Sequence, residues 1–180
     1  MSKLDLPNRQ RNRLNNYNYN QNGAYFITIC VKDRKKILSI INVGTGVLDC
    51  PKIELLKHGK TADKYINQLN NFYNNISIDK YVIMPDHIHL LISIQNELLN
   101  GQSRTPVPTN KGLKNDNRNS VVAKFVSSLK RFCNKEYGEN IWQTRYYDHI
   151  IRNQADYNEI WEYIDKNPVK WILKKEAQGD

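Results

Sequence analysis

Two hydrophobic periods alternate along this chain, and their order leaves few ways to fold it. Ala24-Tyr25-Phe26-Ile27-Thr28-Ile29-Cys30-Val31 is rich in β-branched and aromatic residues and ends at the polar Lys32-Asp33-Arg34-Lys35, which predicts a strand and then a basic turn. From Thr61 to Tyr73 the apolar positions Ala62, Tyr65, Ile66, Leu69 and Phe72/Tyr73 recur every three or four residues, the spacing of an amphipathic helix. Ile76 to Met84 and His87 to Ile94 are two further strand-like runs, interrupted only by Pro85-Asp86, as in a tight hairpin. Val122, Phe125, Val126, Leu129 and Phe132-Cys133 restore the helical period, and Trp142-Gln143 leads to a fourth strand over Tyr146–Ile151. Asn153, with Asp156 three residues on, is expected to cap a third helix, and Pro168 to end it, because the residue before proline avoids the α region. Residues 42–52 read as a loop closing in a short extended piece. The stretch 96–119, rich in Gly, Pro, Ser, Asn and Lys, reads as a long surface loop.

Strand, helix, strand, strand, helix, strand, with one helix added, predicts an α+β fold: a ferredoxin-like split βαβ with a four-stranded antiparallel sheet and an additional C-terminal helix. The length of 180 residues and the 39% hydrophobic content suit one domain over 23–175. Residues 8–22, mostly Asn, Arg, Gln and Tyr without periodicity, predict a flexible basic arm over 1–22. RNA-recognition domains share the architecture, but their aromatic third-strand motif is absent, so the fold by itself leaves function open.

Charge narrows the field. The formal net charge is +9, and it is concentrated: residues 1–36 carry eight basic and two acidic groups, residues 101–135 eight and one. The remaining stretches come to −1 and −3. Two basic blocks on a near-neutral body suit a surface that tracks phosphates, although a merely solvating surface has the same composition. Tyr17, Tyr19, Tyr25 and Phe26 lie within the first block, either as base-stacking neighbours or, for Tyr25 and Phe26, as ordinary strand residues. No apolar run approaches the ~18 residues that span a bilayer, and the first residues lack an apolar leader, so a membrane or secreted protein is not expected. Cytoplasmic location, in association with the nucleoid, is the expectation. Three cysteines without a C-x-x-C predict neither a disulfide framework nor a cysteine-based zinc site.

The first segment that carries chemistry is Met84-Pro85-Asp86-His87-Ile88-His89-Leu90-Leu91. With a side-chain period of two, His87 and His89 share one face of their strand while Ile88 takes the other, so one cation can meet both imidazoles. A bare H-x-H is a weak signal and needs a third ligand from another element. In the last helix Tyr157, Ile160, Trp161 and Ile164 stand at i, i+3, i+4 and i+7, which predicts a core-facing stripe. Tyr163 falls roughly 110° off it at ~100° per residue, so it is not required by the core, and Asn167 four residues on shares its face.

With these pieces in hand, the chain resembles the HUH single-tyrosine transposases, and within them the REP-associated tyrosine transposase branch. The resemblance runs from about Gly23 to Trp171. It rests on Ala24-Tyr25-Phe26-Ile27-Thr28, Met84-Pro85-Asp86-His87-Ile88-His89, Trp142-Gln143-x-x-Tyr146-x-Asp148-His149, and Asp156-Tyr157 leading to Tyr163-Ile164-x-x-Asn167-Pro168. The resemblance implies that His87 and His89 are a metal pair, Tyr163 the nucleophile on the added helix, and Asn167 the third metal ligand. It further implies cleavage and rejoining of single-stranded DNA beside hairpins, through a 5′-phosphotyrosine and with Mg²⁺ or Mn²⁺, by a monomer or a homodimer. Asn167 is a neutral and comparatively weak ligand, and no general base is evident. By position and charge alone, Arg9, Arg11, Arg13, Lys130, Arg131, Arg145 and Arg152 are candidates for backbone contacts to DNA. Two other readings stand beside this one. A catalytically silent hairpin-binding protein on the same fold needs only the basic blocks, and a mononuclear metal hydrolase would use water in place of the phenol.

Overall fold

A computed structural model of the chain describes residues 19–42, 51–95 and 120–178. Its main sheet holds four strands in the spatial order β4-β5-β1-β6: β1 (Gly23–Cys30), β4 (Ile76–Ile83), β5 (His87–Ile94) and β6 (Tyr147–Ile150). All pairings are antiparallel, with β1 in the centre between β5 and β6. Helices α1 (Lys57–Phe72) and α2 (Val121–Tyr137) are the two crossovers and pack together. This is the ferredoxin-like arrangement expected, with α3 (Gln154–Gln178) as the added helix. Among the described residues no helix is long and apolar enough to cross a membrane.

The period of two sorts the strands into two faces. Tyr25, Ile27 and Ile29 of β1 and Ile88, Leu90, Ile92 and Ile94 of β5 are at most 1% exposed and meet Ile66 and Leu69 of α1 and Val122, Phe125, Val126 and Leu129 of α2. Each fully buried aliphatic or aromatic side chain there contributes roughly 1.5–3 kcal/mol relative to exposure. The opposite face packs a smaller cluster of Phe26, Val82, Met84 and Leu91 against Ile164 of α3.

Five features differ from the sequence expectations. The segment before α1 forms a second, two-stranded sheet, β2 (Ser39–Asn42) with β3 (Lys52–Leu55), so only the extended piece near its end was foreseen. α1 starts at Lys57, ahead of the predicted Thr61; its first turn is polar and gives no periodic signal, and Gly59 is needed there because a Cβ would fall 2.0 Å from the Leu38 carbonyl oxygen. Residues 19–22, counted with the arm, belong to the body: Tyr19 is 3% exposed against Tyr25, whose hydroxyl donates to the Gln21 carbonyl, and Asn20 accepts from the Val121 amide. Tyr19, Tyr25 and Phe26 are thus core residues, and stacking on bases is closed to them; Tyr17 lies outside the described residues.

The fourth difference matters most for the site. Pro168 does not end α3; the helix continues ten residues past it. Proline removes one backbone hydrogen bond and crowds the preceding turn, at a cost of ~3 kcal/mol in a helix interior. Continuation is favoured because Pro168 itself is buried and Trp171, one turn on, packs on the Phe26–Met84 cluster. Trp161 also departs from its predicted place on the core stripe. It is 38% exposed, and the buried line runs through Ile164, Asn167 and Pro168 instead.

Candidate active site

The hairpin between β4 and β5 fixes the histidines. The Met84 amide donates to the His87 carbonyl and closes the turn over Pro85-Asp86. A second turn clasps the first: the Val31 amide donates to the Asp86 carbonyl and the Leu38 amide to the Pro85 carbonyl. Asp33 and Arg34 in that turn both sit at φ 55°, a left-handed conformation that costs a non-glycine residue roughly 1–2 kcal/mol. The strained turn leaves the Arg34 guanidinium 3.7 Å from the Asp86 carboxylate.

His87 and His89 project from β5 on the α3 side, while Ile88 enters the opposite core, as alternation predicted. In the tautomer with the proton on Nδ1, His87 donates to Asp86 and His89 donates to the Thr28 hydroxyl at 2.8 Å. The two Nε2 atoms are then left facing each other 3.0 Å apart. Two such lone pairs repel unless a proton or cation lies between them. A divalent ion shared by the two nitrogens would remove that repulsion, and Asp86 and Thr28 are the outer partners that would orient them as ligands. Burial, then the neighbouring His87 and Arg34, lower the His89 pKa to about 3, which keeps that imidazole neutral and able to ligate. Burial pushes the Asp86 carboxyl up, but the hydrogen bond from His87 and the charge of Arg34 outweigh it and lower its pKa, so the carboxylate stays ionised.

Among the described residues no third His, Cys, Asp or Glu joins the pair. Asn167, the third ligand expected from the resemblance, is 8% exposed and lines the same cleft, a cavity of about 690 Å³. Tyr163 lines it too. Its ring lies 5.3 Å from that of His89 and 5.7 Å, edge-on, from that of Phe26. Tyr163 is half-buried among these rings, so it contributes more to packing than its off-stripe position suggested.

Sequence patterning showed only part of what holds α3 in place. The helix is capped as expected, with Asn153 accepting from the Asp156 amide; the Asp156 carboxylate in turn takes the Arg152 amide and the His149 ring. The decisive contacts come from β4, whose register with β5 shifts between Ile78 and Lys80. In a regular strand, consecutive residues point to opposite faces; the bulge lets both Asp79 and Lys80 reach α3. Asp79 accepts from Tyr157 and from Ser93, while Lys80 bonds Asp165 at 2.7 Å and sits 4.0 Å above the Trp161 ring. This explains the exposed Trp161: it is one jaw of a clamp that sets the helix phase around Tyr163.

The cations around the cleft are not those singled out from sequence. Arg34, Lys36, Lys170, Lys174 and Lys175 line it. The α3 cations were missed because Pro168 was read as a terminus; with the helix continued, Tyr163, Asn167, Lys170, Trp171 and Lys174 fall on one face. Lys170 lies 5.1 Å from the Tyr163 ring. Lys130 is instead turned to structure: its ammonium donates to the carbonyls of Gln143, Thr144 and Arg145, and burial lowers its pKa to about 8. Arg131 sits over the Phe132 ring on α2, on the opposite side of the sheet from the cleft. Arg145 and Arg152 are exposed in the segments flanking β6, and neither lines the cleft. Arg9, Arg11 and Arg13 lie outside the described residues.

No family model matches the chain. An uncharacterized protein of Haemophilus influenzae is 32% identical over 173 residues, covering 92% of this chain and 91% of that one. Two further relatives are assigned to the REP-associated tyrosine transposases. One, from the same Haemophilus strain, is 27% identical and aligns over 87% of this chain and 77% of its own length; the other, from Escherichia coli K12, is 22% identical over 86% and 72%. Among solved structures, a REP-associated tyrosine transposase bound to a REP hairpin has a TM-score of 0.54 at 20% identity, over 82% of this chain and 67% of that one, which shows the shared fold.

Proposed function

Because the chain belongs to the REP-associated tyrosine transposase family, we propose that it is a metal-dependent endonuclease and strand transferase that cuts single-stranded DNA beside hairpin-forming repeats. The observation that carries this reading is the convergence of the two Nε2 atoms 3.0 Å apart in a cleft that also presents Tyr163. His87, His89 and Asn167 would hold Mg²⁺ or Mn²⁺, which as a Lewis acid polarises the scissile phosphate. The phenol oxygen of Tyr163 attacks phosphorus in line, the bond to the 3′-oxygen breaks, and a 5′-phosphotyrosine and a free 3′-hydroxyl result. The phenol loses one proton and the 3′-oxygen gains one, so the step is neutral overall. The diester's energy is retained in the phosphotyrosine, so a 3′-hydroxyl can reverse the step or join a new strand without ATP. Asp86 and Thr28 keep the imidazoles aimed, and Arg34, Lys170 and Lys174 supply positive charge for backbone phosphates.

The test is to incubate the protein with Mg²⁺ or Mn²⁺ and labelled single-stranded hairpin DNA from beside its own gene, then separate the products on denaturing gels. A metal-dependent covalent adduct that disappears in Tyr163→Phe, with binding retained, is the expected result. Cleavage without an adduct would assign the nucleophile to water. Tight binding with neither would leave a silent hairpin-binding protein.

A further inference from the structure

The sheet aligns an exposed aromatic residue with the histidine pair. His89 of β5 lies opposite Thr28 of β1, and Thr28 lies opposite Tyr147 of β6. Directly opposed residues of antiparallel strands share a face, so the three side chains form one row on the α3 side. Strands are spaced ~4.8 Å apart, which puts the Tyr147 backbone ~10 Å from that of His89. Tyr147 is 52% exposed and lines the same cleft as Tyr163. Its backbone is held firmly from the other side: Lys130 gathers the carbonyls of residues 143 to 145, and the Gln143 amide donates to the Cys30 carbonyl.

A large aromatic ring half in water, on an edge strand and in a cleft lined by lysines, is the combination with which proteins take up unpaired bases: the ring meets a base face while the cations meet phosphates. Paired bases in a duplex expose only their edges, so a ring of this kind selects single strands. We propose that Tyr147 is the stacking platform for an unpaired nucleobase in the single-stranded flank next to the scissile phosphate. The identity of the ligand as DNA rests on the function proposed above; the position of the platform rests on the row through Thr28.

Binding without a divalent cation tests this separately from cleavage. The affinities of the wild-type protein, Tyr147→Ala and Tyr147→Phe are measured by fluorescence anisotropy in EDTA, using hairpin DNA from beside the gene with a single-stranded flank. The same hairpin is also used without the flank, and with one abasic nucleotide moved stepwise along the flank. Tyr147→Ala should weaken binding of the flanked hairpin roughly 5- to 100-fold, and Tyr147→Phe should bind like wild type. At one abasic position, and on the flankless hairpin, wild type and Tyr147→Ala should converge. Equal affinity of wild type and Tyr147→Ala for the intact flank overturns the proposal. So does a loss that persists on the flankless hairpin and at every abasic position. If the wild-type protein forms no covalent adduct yet passes the abasic test, the tyrosine strand-transfer reading fails and the stacking platform stands.

Discussion

The two faces of the central sheet are made from the same strands but are used differently. Toward α1 and α2, Tyr25, Ile27 and Ile29 of β1 and Ile88, Leu90, Ile92 and Ile94 of β5 are all at most 1% exposed. Toward α3, the alternate residues include Thr28, Cys30, His87, His89 and Ser93, and one helix covers only part of them. The closed face supplies the burial that makes the sheet rigid. The open face uses that rigidity to hold polar groups in arrangements that would not form on a soft support, such as two imidazole nitrogens 3.0 Å apart. A single strand thus encodes stability on one parity and chemistry on the other.

The largest effects should come from breaking the closed face. Phe125 is fully buried between α2 and the sheet, so Phe125→Ala should lose about 3–5 kcal/mol of stability, read by urea unfolding, and take DNA binding and cleavage with it. On the open face, His87→Gln should change unfolding by about 1 kcal/mol or less while abolishing the Mn²⁺ response, because Gln fills much of the space but offers no imidazole. The same donor set makes a second point. On the proposed reading, two neutral imidazoles and an amide would bring no charge to a cation, which would leave the phosphate to supply it. Isothermal titration should show Mn²⁺ binding tightened by single-stranded DNA in the wild-type protein and not in His87→Gln; equal affinity with and without DNA would remove the phosphate from the coordination sphere.

A smaller effect on stability but a clear one on rate is expected at the β4 clamp. Lys80→Ala removes a partly exposed ion pair and a cation–π contact, together worth about 1 kcal/mol or less. The single-turnover rate of adduct formation at saturating DNA should nevertheless fall about tenfold, since a slight rotation of α3 displaces Tyr163 from its line of attack. Lys80→Arg, which can keep both contacts, should restore the rate. Unchanged adduct formation in Lys80→Ala would show that α3 is positioned by its apolar face alone.

These contrasts also explain what was legible beforehand. The closed face was readable because aliphatic periodicity at two and at three-to-four residues is itself the packing pattern: Ile88, Leu90 and Ile92 on β5, Phe125, Val126 and Leu129 on α2. His87 and His89 were readable through the same alternation, and Tyr163 and Asn167 through resemblance and their four-residue spacing. What escaped depended on backbone features without a composition signature. The bulge at Asp79 puts two consecutive residues on the α3 side, so Lys80 and Trp161 could not be paired from pattern. Pro168 gave a true local signal, overruled by the burial of Pro168 and Trp171, and with it Lys170 and Lys174 were lost. The roles of Thr28, Asp86 and Arg34 become visible only once β1 pairs with β5 and the two turns clasp each other.

The smallest predicted effect lies on the closed side, where its one dense polar lock sits on the surface. Glu136 of α2 accepts from Lys64, Tyr65 and Thr61 of α1 and ties the two crossover helices together at the rim of the core. The hydrogen bonds from Lys64, then Tyr65 and Thr61, lower its pKa from 4.5 to about 2. A carboxylate whose folded pKa is depressed adds stability that is fully present above its unfolded pKa and is lost as the pH falls toward the folded value. The contribution should therefore be intact above about pH 5 and decline between about 4.5 and about 2. Lys64, raised above its usual value by the same hydrogen bond, contributes below its unfolded pKa and loses that contribution as the pH rises through its folded one. Glu136→Gln should accordingly flatten the acid limb of the stability curve, measured by thermal melts from pH 2 to 7, with a modest loss at neutral pH because the group is exposed and screened by solvent. DNA cleavage at pH 7 should be unaffected, since the lock lies on the other side of the sheet from Tyr163. A Glu136→Gln protein whose acid limb matches wild type would show that α1 and α2 are held by their apolar contacts alone, and would make the division between the two faces complete.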